Sequence, residues 1–582
     1  MSREPPGRLV PPFDRTWAPS GGASRIGDGE IGGKARGLLQ LRDVLSGMDA
    51  AGLEDIEIVV PTFAVLGTGV FDAFLERNRL ESVASSGESD ERIAFAFQQA
   101  DMPSEVLGDL RAMTQTVRRP LAVRSSSRLE DALFRPFAGV YETKMTPNNQ
   151  PDASTRFQKL VEAIKFVYAS MFFGAARDYL RTVTGTPGDE KMAVVIQDVA
   201  GIRHQSRFYP NLSGVARSFN FYPVGEAPRE DGVVDLALGL GKIIVDEGIA
   251  YPYIPSRPKS PPPFASVRDQ VQNSQTEFWA VTMGGPPAFD PVRETEYLVR
   301  ANVEDADYDD ALRYVASTYD PGADRIRPGV GRPGPRVLDF APLLRLEEIP
   351  FNTAISRVMG SCKEWLGCDV EIEFAMTFPG AREEGRPRLA FVQVRPMVTP
   401  HEIVEIATAE LEAENLLVTS ARVMGNGVVE DIRDVVYTKP EAFDLAATRT
   451  MADQLARLNG ELAAGERPYL LIGFGRWGSS DSWLGIPVKW GQVSGARAIV
   501  EATLEERVIE ASQGTHFFHN ITSFGVGYFH VPAGADPGIR WGRLESTEAE
   551  HETEFLRHVR FENPILVKVD GRSGRGGVWL PS

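Results

Sequence analysis

The residues with the most chemistry in this 582-residue sequence lie at 121–143, LAVRSSSRLEDALFRPFAGVYET. A short apolar strand delivers Arg124 into Ser125, Ser126 and Ser127, and Gly139 and Thr143 follow. A guanidinium presents a planar fork of N–H donors, the hydroxyls add further bonds, and glycine permits close backbone approach, a set that suits a polyphosphate. The same residues also describe a surface loop with a solvated arginine, and spacing alone does not choose between the two. A second group lies downstream. Residues 369–375, DVEIEFA, alternate as a half-buried strand does and place Asp369, Glu371 and Glu373 on one face. Residues 389–397, LAFVQVRPM, alternate likewise, with Phe391, Gln393 and Arg395 sharing a face. Joined through TFPGAREEGRPR, the two make a hairpin with a carboxylate, an amide oxygen and a guanidinium at one mouth. Magnesium with a substrate phosphate would use that donor set, and ordinary polar alternation on a surface hairpin would also produce it.

Other elements must position these groups. IGGKARG at 31–37 opens a helix after a stretch rich in Pro, Gly and Ser, which puts Lys34 near the positive end of the helix dipole. Residues 59–65, VVPTFAV, read as a strand, and 152–182 as one long amphipathic packing helix. MAVVIQ at 192–197 is a strand whose polar end, Gln197 to Val199, can hydrogen-bond an adenine edge or can equally be a plain buried strand. Two Pro/Gly-rich tracts, IPSRPKSPPPF and DPGADRIRPGVGRPGP, read as loops or insertions.

The motif at 121–143 resembles the signature of the nucleotide-binding domain of the PEP synthase and pyruvate phosphate dikinase family. The shared order is Val123-Arg124-Ser125-Ser126, Glu130-Asp131, Phe137-Ala138-Gly139 and Thr143. The resemblance runs from about residue 31 to 400 and takes in the GGK entry, the SGVA and GLG segments near 213 and 239, and the 369–397 hairpin. It implies an ATP-grasp-like fold that binds ATP with magnesium. Carried over residue by residue, it makes Lys34, Arg124, Thr143, Gln197, Val199 and Arg395 nucleotide contacts, with Arg124 and Arg395 also catalytic, and Glu373 and Gln393 the metal-linked ligands. The sequence departs from the pattern at Ala35-Arg36, at Leu133-Phe134-Arg135, and at Lys242, which stands where the pattern has a glutamate.

Composition sets the bounds. The length calls for three or four domains, and a formal charge of -18 argues against a polyanion-binding surface and against nucleic acid as partner. Cys362 and Cys368 lack companions for a zinc site and read as thiols of a cytoplasmic protein. No apolar run is long enough for a membrane span, and the N-terminus lacks a signal-peptide pattern. The expected organisation is an α+β and α/β multidomain chain: a disordered tail at 1–30, ATP-grasp-like subdomains at 31–210 and 211–400, and a C-terminal α/β domain at 401–582.

That last part shows neither a recognisable phosphohistidine module nor room for a pyruvate-binding barrel beside another domain. A helix at 441–462 and a strand at 469–472 lead to GFGRWG, which fits G-x-G-x-x-G without an evident following helix, so a dinucleotide site is disfavoured. DGRSGRGGVW near the end reads as a loop or frayed tail. Of seven histidines, His516 in SQGTHFFHN has both a neighbouring glycine and a hydroxyl, which makes it the candidate nucleophile if a phosphohistidine forms; a packed structural histidine is the alternative. The expected function is an ATP-dependent phosphotransferase, kinase or dikinase in type, acting on an unidentified small-molecule or protein acceptor. The alternative is an ATP sensor without turnover.

Overall fold

In the computed structural model the described residues are 10–17, 22–84, 87–128, 130, 139–184, 190–223, 227–245, 248–260, 264, 266–285, 287–380, 385–397, 399, 404–479, 484–503, 517, 521, 524–536 and 538–581. Asp131, Phe137, Ala138, the 133–135 departure and His516 lie outside them.

Arg124 sits on strand Leu121–Ser127 of a five-stranded sheet whose order is Ala23–Ile26, Phe63–Leu66, Met192–Asp198, Leu121–Ser127 and Thr143–Thr146. The apolar positions of these strands pack on the helices Thr68–Asn78, Asp90–Gln99, Ser104–Thr116 and Ala153–Ser170. The outermost strand, Ala23–Ile26, pairs in parallel with Phe63–Leu66, so the expected tail up to residue 30 contributes to the sheet. The long packing helix is two helices, Ala153–Ser170 and Gly174–Thr184: Ser170 turns its hydroxyl back onto the Val167 carbonyl, and the Phe172 and Phe173 amides bond only three residues back, to Ala169 and Ser170.

A second, six-stranded sheet runs Tyr251–Tyr253, Val233–Ala237, Leu212–Arg217, Val370–Thr377, Arg388–Pro396 and Glu57–Val59. The expected hairpin is its antiparallel pair Val370–Thr377 and Arg388–Pro396, with Glu373 opposite Gln393 and a register shift just after Glu373. Glu57–Val59 joins this sheet although it precedes the first sheet's main strands, so the two lobes interleave in the chain and do not divide at one residue. The tract at 320–335, read as a loop, contains Arg325–Pro328, and with Ser317–Asp320 and Arg336–Val337 it makes a three-stranded sheet.

Helix Gly32–Gly47 ties the lobes together. It packs against both Leu121–Ser127 and Arg388–Pro396. Its entry needs two glycines: Gly32 has φ +74°, and a Cβ on Gly32 or Gly33 would fall 1.7 Å from the carbonyl oxygen of Ser126 or Glu130. The Ser126 hydroxyl completes this junction, accepting from the Ala35 amide (3.1 Å) and donating to the Ile31 carbonyl (2.8 Å).

The C-terminal part is built on a nine-stranded sheet. Its centre is four parallel strands, Asn426–Thr438, Tyr469–Phe474, Ala496–Ala502 and Gly527–Val531. Helix Thr448–Ala464 begins later than expected because Pro440–Ala442 and Leu445–Ala447 are 3₁₀ turns. After Phe474 the chain enters a short strand, Arg476–Trp477, where the motif would have to open a helix, and this disfavours the dinucleotide reading of GFGRWG. The terminal DGRSGRGGVW is no frayed tail: Arg575–Trp579 pairs with both Leu416–Ser420 and Leu556–Asp570. Among the described residues no helix is long and apolar enough to cross a membrane.

This sheet carries a buried charge network. His558 Nε2 lies 2.8 Å from Asp434 Oδ1, and Arg467 bonds Asp434 (2.5 Å) and Glu550 (2.6 Å). Asp434, Glu550 and His558 are metal-ligand types in one place, but the Arg467 guanidinium bonds both carboxylates. Burial pushes the Asp434 carboxyl up, and the His558 and Arg467 bonds outweigh it, leaving the group below its ordinary range. A depressed carboxylate stabilises the fold above its unfolded-state pKa, and that contribution is lost as pH falls through its folded pKa. Asp434→Asn should therefore destabilise the protein by about 3 kcal/mol at pH 7, and thermal melts should show the deficit shrinking at pH 3.

Candidate functional site

Between the two sheets lies a cavity of about 400 Å³. Ala122, Met145, Val199, Leu240 and Leu298 form one apolar cluster along it, backed by Phe208, Val281 and Met283. Lys34, Arg124, Glu373, Gln393 and Arg395 supply its charged and polar lining, together with Thr143 and Gln197. Every candidate residue among those described therefore lines one cavity, although it draws on strands 270 residues apart in sequence only through the pairing of the two sheets. A flat, apolar cluster beside a set of cations and hard oxygens is the chemistry of a site for an aromatic base carrying phosphates.

These side chains are bonded to one another and to the backbone across the cleft. Arg124 is a strut across the cleft: one terminal nitrogen donates to the Val392 carbonyl (2.9 Å) and to Gln197 Oε1 (3.3 Å), the other to Gln393 Oε1 (2.5 Å). Glu373 lies 3.7 Å from it. The serines expected to face a phosphate are fully buried and hold the junction instead. Ser126 caps the helix, and Ser125 accepts from Lys34 (3.0 Å) while donating to Glu130 (2.8 Å). Lys34 also pairs with the buried Glu130, the acidic member of the sequence motif, which in turn accepts from the Ser127 amide (2.8 Å). Arg395 is buried and donates through Nε to Glu371 (2.9 Å), which also faces Arg217.

Thr143 neighbours Arg124 in the strand register. Gln197 is buried, and among the described residues its Nε2 donor has no acceptor, so it is an open donor in the cavity wall. The Val199 amide already donates to the Pro120 carbonyl (3.0 Å), which leaves its carbonyl and side chain for a ligand. Asp198 also lines the cavity; burial raises its carboxyl above the ordinary range against two indole bonds from Trp17, each 3.2 Å.

Three lining residues escaped the motif reading. Lys242, noted only as a departure, bonds Glu294 (2.7 Å) at the rim, and both line the cavity. Lys489 comes from the C-terminal part, on no recognisable pattern. A charge reversal at 242 invites a search for a compensating acid, but sequence spacing gives no pointer to residue 294.

Residues 28–415 match the protein family described as pyruvate phosphate dikinase, AMP/ATP-binding domain. The chain belongs to that family. The match covers both sheets apart from strand Ala23–Ile26, and the whole cleft apart from Lys489. Among curated proteins, the chain is similar to the uncharacterized phosphotransferase YvkC of Bacillus subtilis (strain 168), with 25% identity over 206 residues. That stretch is 35% of this chain and spans only 22% of the relative's length.

In this AMP/ATP-binding domain the cleft depends on the Arg124 fork. Arg124→Ala should cost about 2 kcal/mol of stability in the N-terminal lobes by denaturant titration. Arg124→Lys should recover less than half of it, since a single ammonium cannot reproduce the three-way fork. A lysine variant as stable as the parent would show that charge alone closes the cleft.

Proposed function

We propose that the chain is an ATP-dependent phosphotransferase whose nucleotide occupies the 400 Å³ cleft. The observation that carries this is the meeting, in one family-matched cavity, of an apolar cluster, an unsatisfied buried donor on Gln197 and the Arg124, Lys34 and Arg395 cations. An adenine ring has acceptor nitrogens on its edge, so it satisfies the Gln197 donor while its faces contact Val199, Leu240 and Met145. Phosphates then extend toward Arg124, Lys34 and Arg395, with Thr143 beside them.

Glu373 and Gln393 face each other across the hairpin and offer two hard oxygens, so these are the residues that would hold magnesium. A bound magnesium would neutralise phosphate charge as it develops. The Arg124 fork, already on Gln393, positions that oxygen and supplies a second positive charge to the same phosphates. On this reading the two ATP-grasp-like lobes are the interleaved five- and six-stranded sheets, and 401–582 is a separate α/β domain. His516, outside the described residues, is the proposed relay if transfer passes through the protein.

A second reading, an ATP sensor without turnover, is favoured by the carboxylates beside the cations: Glu371 on Arg395, Glu130 on Lys34 and Glu294 on Lys242. Product analysis separates the two. With ATP and magnesium, AMP plus phosphate marks dikinase chemistry, ADP marks a simple kinase, and intact ATP marks the sensor. Turnover is expected, and Glu373→Gln should lower it roughly a hundredfold. A Glu373→Gln protein with the parental rate and magnesium dependence would make the hairpin structural only.

A further inference from the structure

Among the described residues five cations line the cleft, and four of them face a carboxylate. Lys34 pairs with Glu130, Arg124 with Glu373, Lys242 with Glu294 and Arg395 with Glu371. Among the described residues, the Lys489 ammonium has no carboxylate and no hydrogen-bond acceptor. An anion arriving at a paired cation must compete with the carboxylate already there, whereas at an unpaired one it meets the full charge. Lys489 is thus the cleft cation whose charge no described carboxylate offsets.

Its backbone is fixed. Val488 and Trp490 on either side are buried, while Lys489 is exposed and lines the cleft. Its amide donates to Gln492 Oε1 (2.7 Å) and closes a short turn. The Trp490 ring stacks on Phe524 with centroids 5.1 Å apart, and Phe524 meets Tyr179 of helix Gly174–Thr184 at 5.7 Å. An aromatic column therefore joins the turn that carries Lys489 to the nucleotide-binding lobes. Only the flexible lysine stem is left to adjust to a ligand.

Lys489 lies beyond residues 28–415, so the family match does not account for it. We propose that Lys489 is a phosphate ligand of the nucleotide in the cleft, and that the C-terminal domain thereby completes the binding site. This rests on the proposed ATP reading. The charge pattern assigns Lys489 to the phosphates of the nucleotide and leaves the base to the apolar cluster around Val199 and Leu240.

Calorimetric titration of the full-length chain with ATP and with adenosine tests this. Lys489→Gln should weaken ATP about tenfold and leave adenosine unchanged, and Lys489→Arg should keep most of the ATP affinity. ATP affinity unaltered in Lys489→Gln, or adenosine weakened as much as ATP, overturns the lysine's role. A parent chain that binds ATP, and loses it in Arg124→Ala, shows that the underlying reading stands even then. A parent chain that binds no ATP overturns both.

Discussion

A single guanidinium sets the separation of the two sheets. Arg124 leaves one sheet and ends on the Val392 carbonyl and Gln393 amide of the other, positions 268 and 269 residues away in the chain. The fork is rigid and planar, so it fixes both distance and orientation, which a flexible lysine could not do. The candidate residues Thr143, Gln197, Glu373, Gln393 and Arg395 all stand on strands of the two sheets that this strut joins. The serines after Arg124 serve the same end from below, clamping helix Gly32–Gly47 by its first turn onto the strand that carries the arginine.

The cleft also controls its own charge. With each of four cations held near a carboxylate, the cavity wall carries little net field despite its many ionised groups. Leaving any one of these groups partly buried and unpaired would cost several kcal/mol. The pairing explains how so polar a surface persists inside a packed fold. It also means that a ligand binds by rearranging existing pairs, so affinity reflects the difference between two sets of contacts.

Much of this was legible in the sequence where local pattern and long motif agree. The strand bearing Arg124 and the 370–396 hairpin follow from alternation, and the gathering of Lys34, Gln197, Glu373, Gln393 and Arg395 at one cavity from the family resemblance. What the sequence left hidden is what depends on partners distant in the chain. Nothing local reveals that Ser126 caps a helix 91 residues earlier, or that Glu130 holds Lys34. Glycine-rich composition misled at both ends: Ala23–Ile26 and Arg575–Trp579 are strands because sheet neighbours supply their hydrogen bonds, which override weak intrinsic propensity. Lys489 belongs to no motif, and only the docking of its turn brings it to the cleft.

The aromatic column under that turn has a mechanical consequence. Domains that shuttle a group between distant stations must release their dock at every cycle, and they do so through small, polar, wet contacts. Here Trp490 and Tyr179 are buried and both meet Phe524, each worth about 2 kcal/mol relative to exposure. Met424 and Tyr528 extend the same apolar cluster toward Phe219 and Phe221 of the nucleotide lobes. Such a joint behaves as a weld and not as a pivot: the C-terminal part stands as a fixed wall beside the cleft, and separating it would return that apolar surface to water.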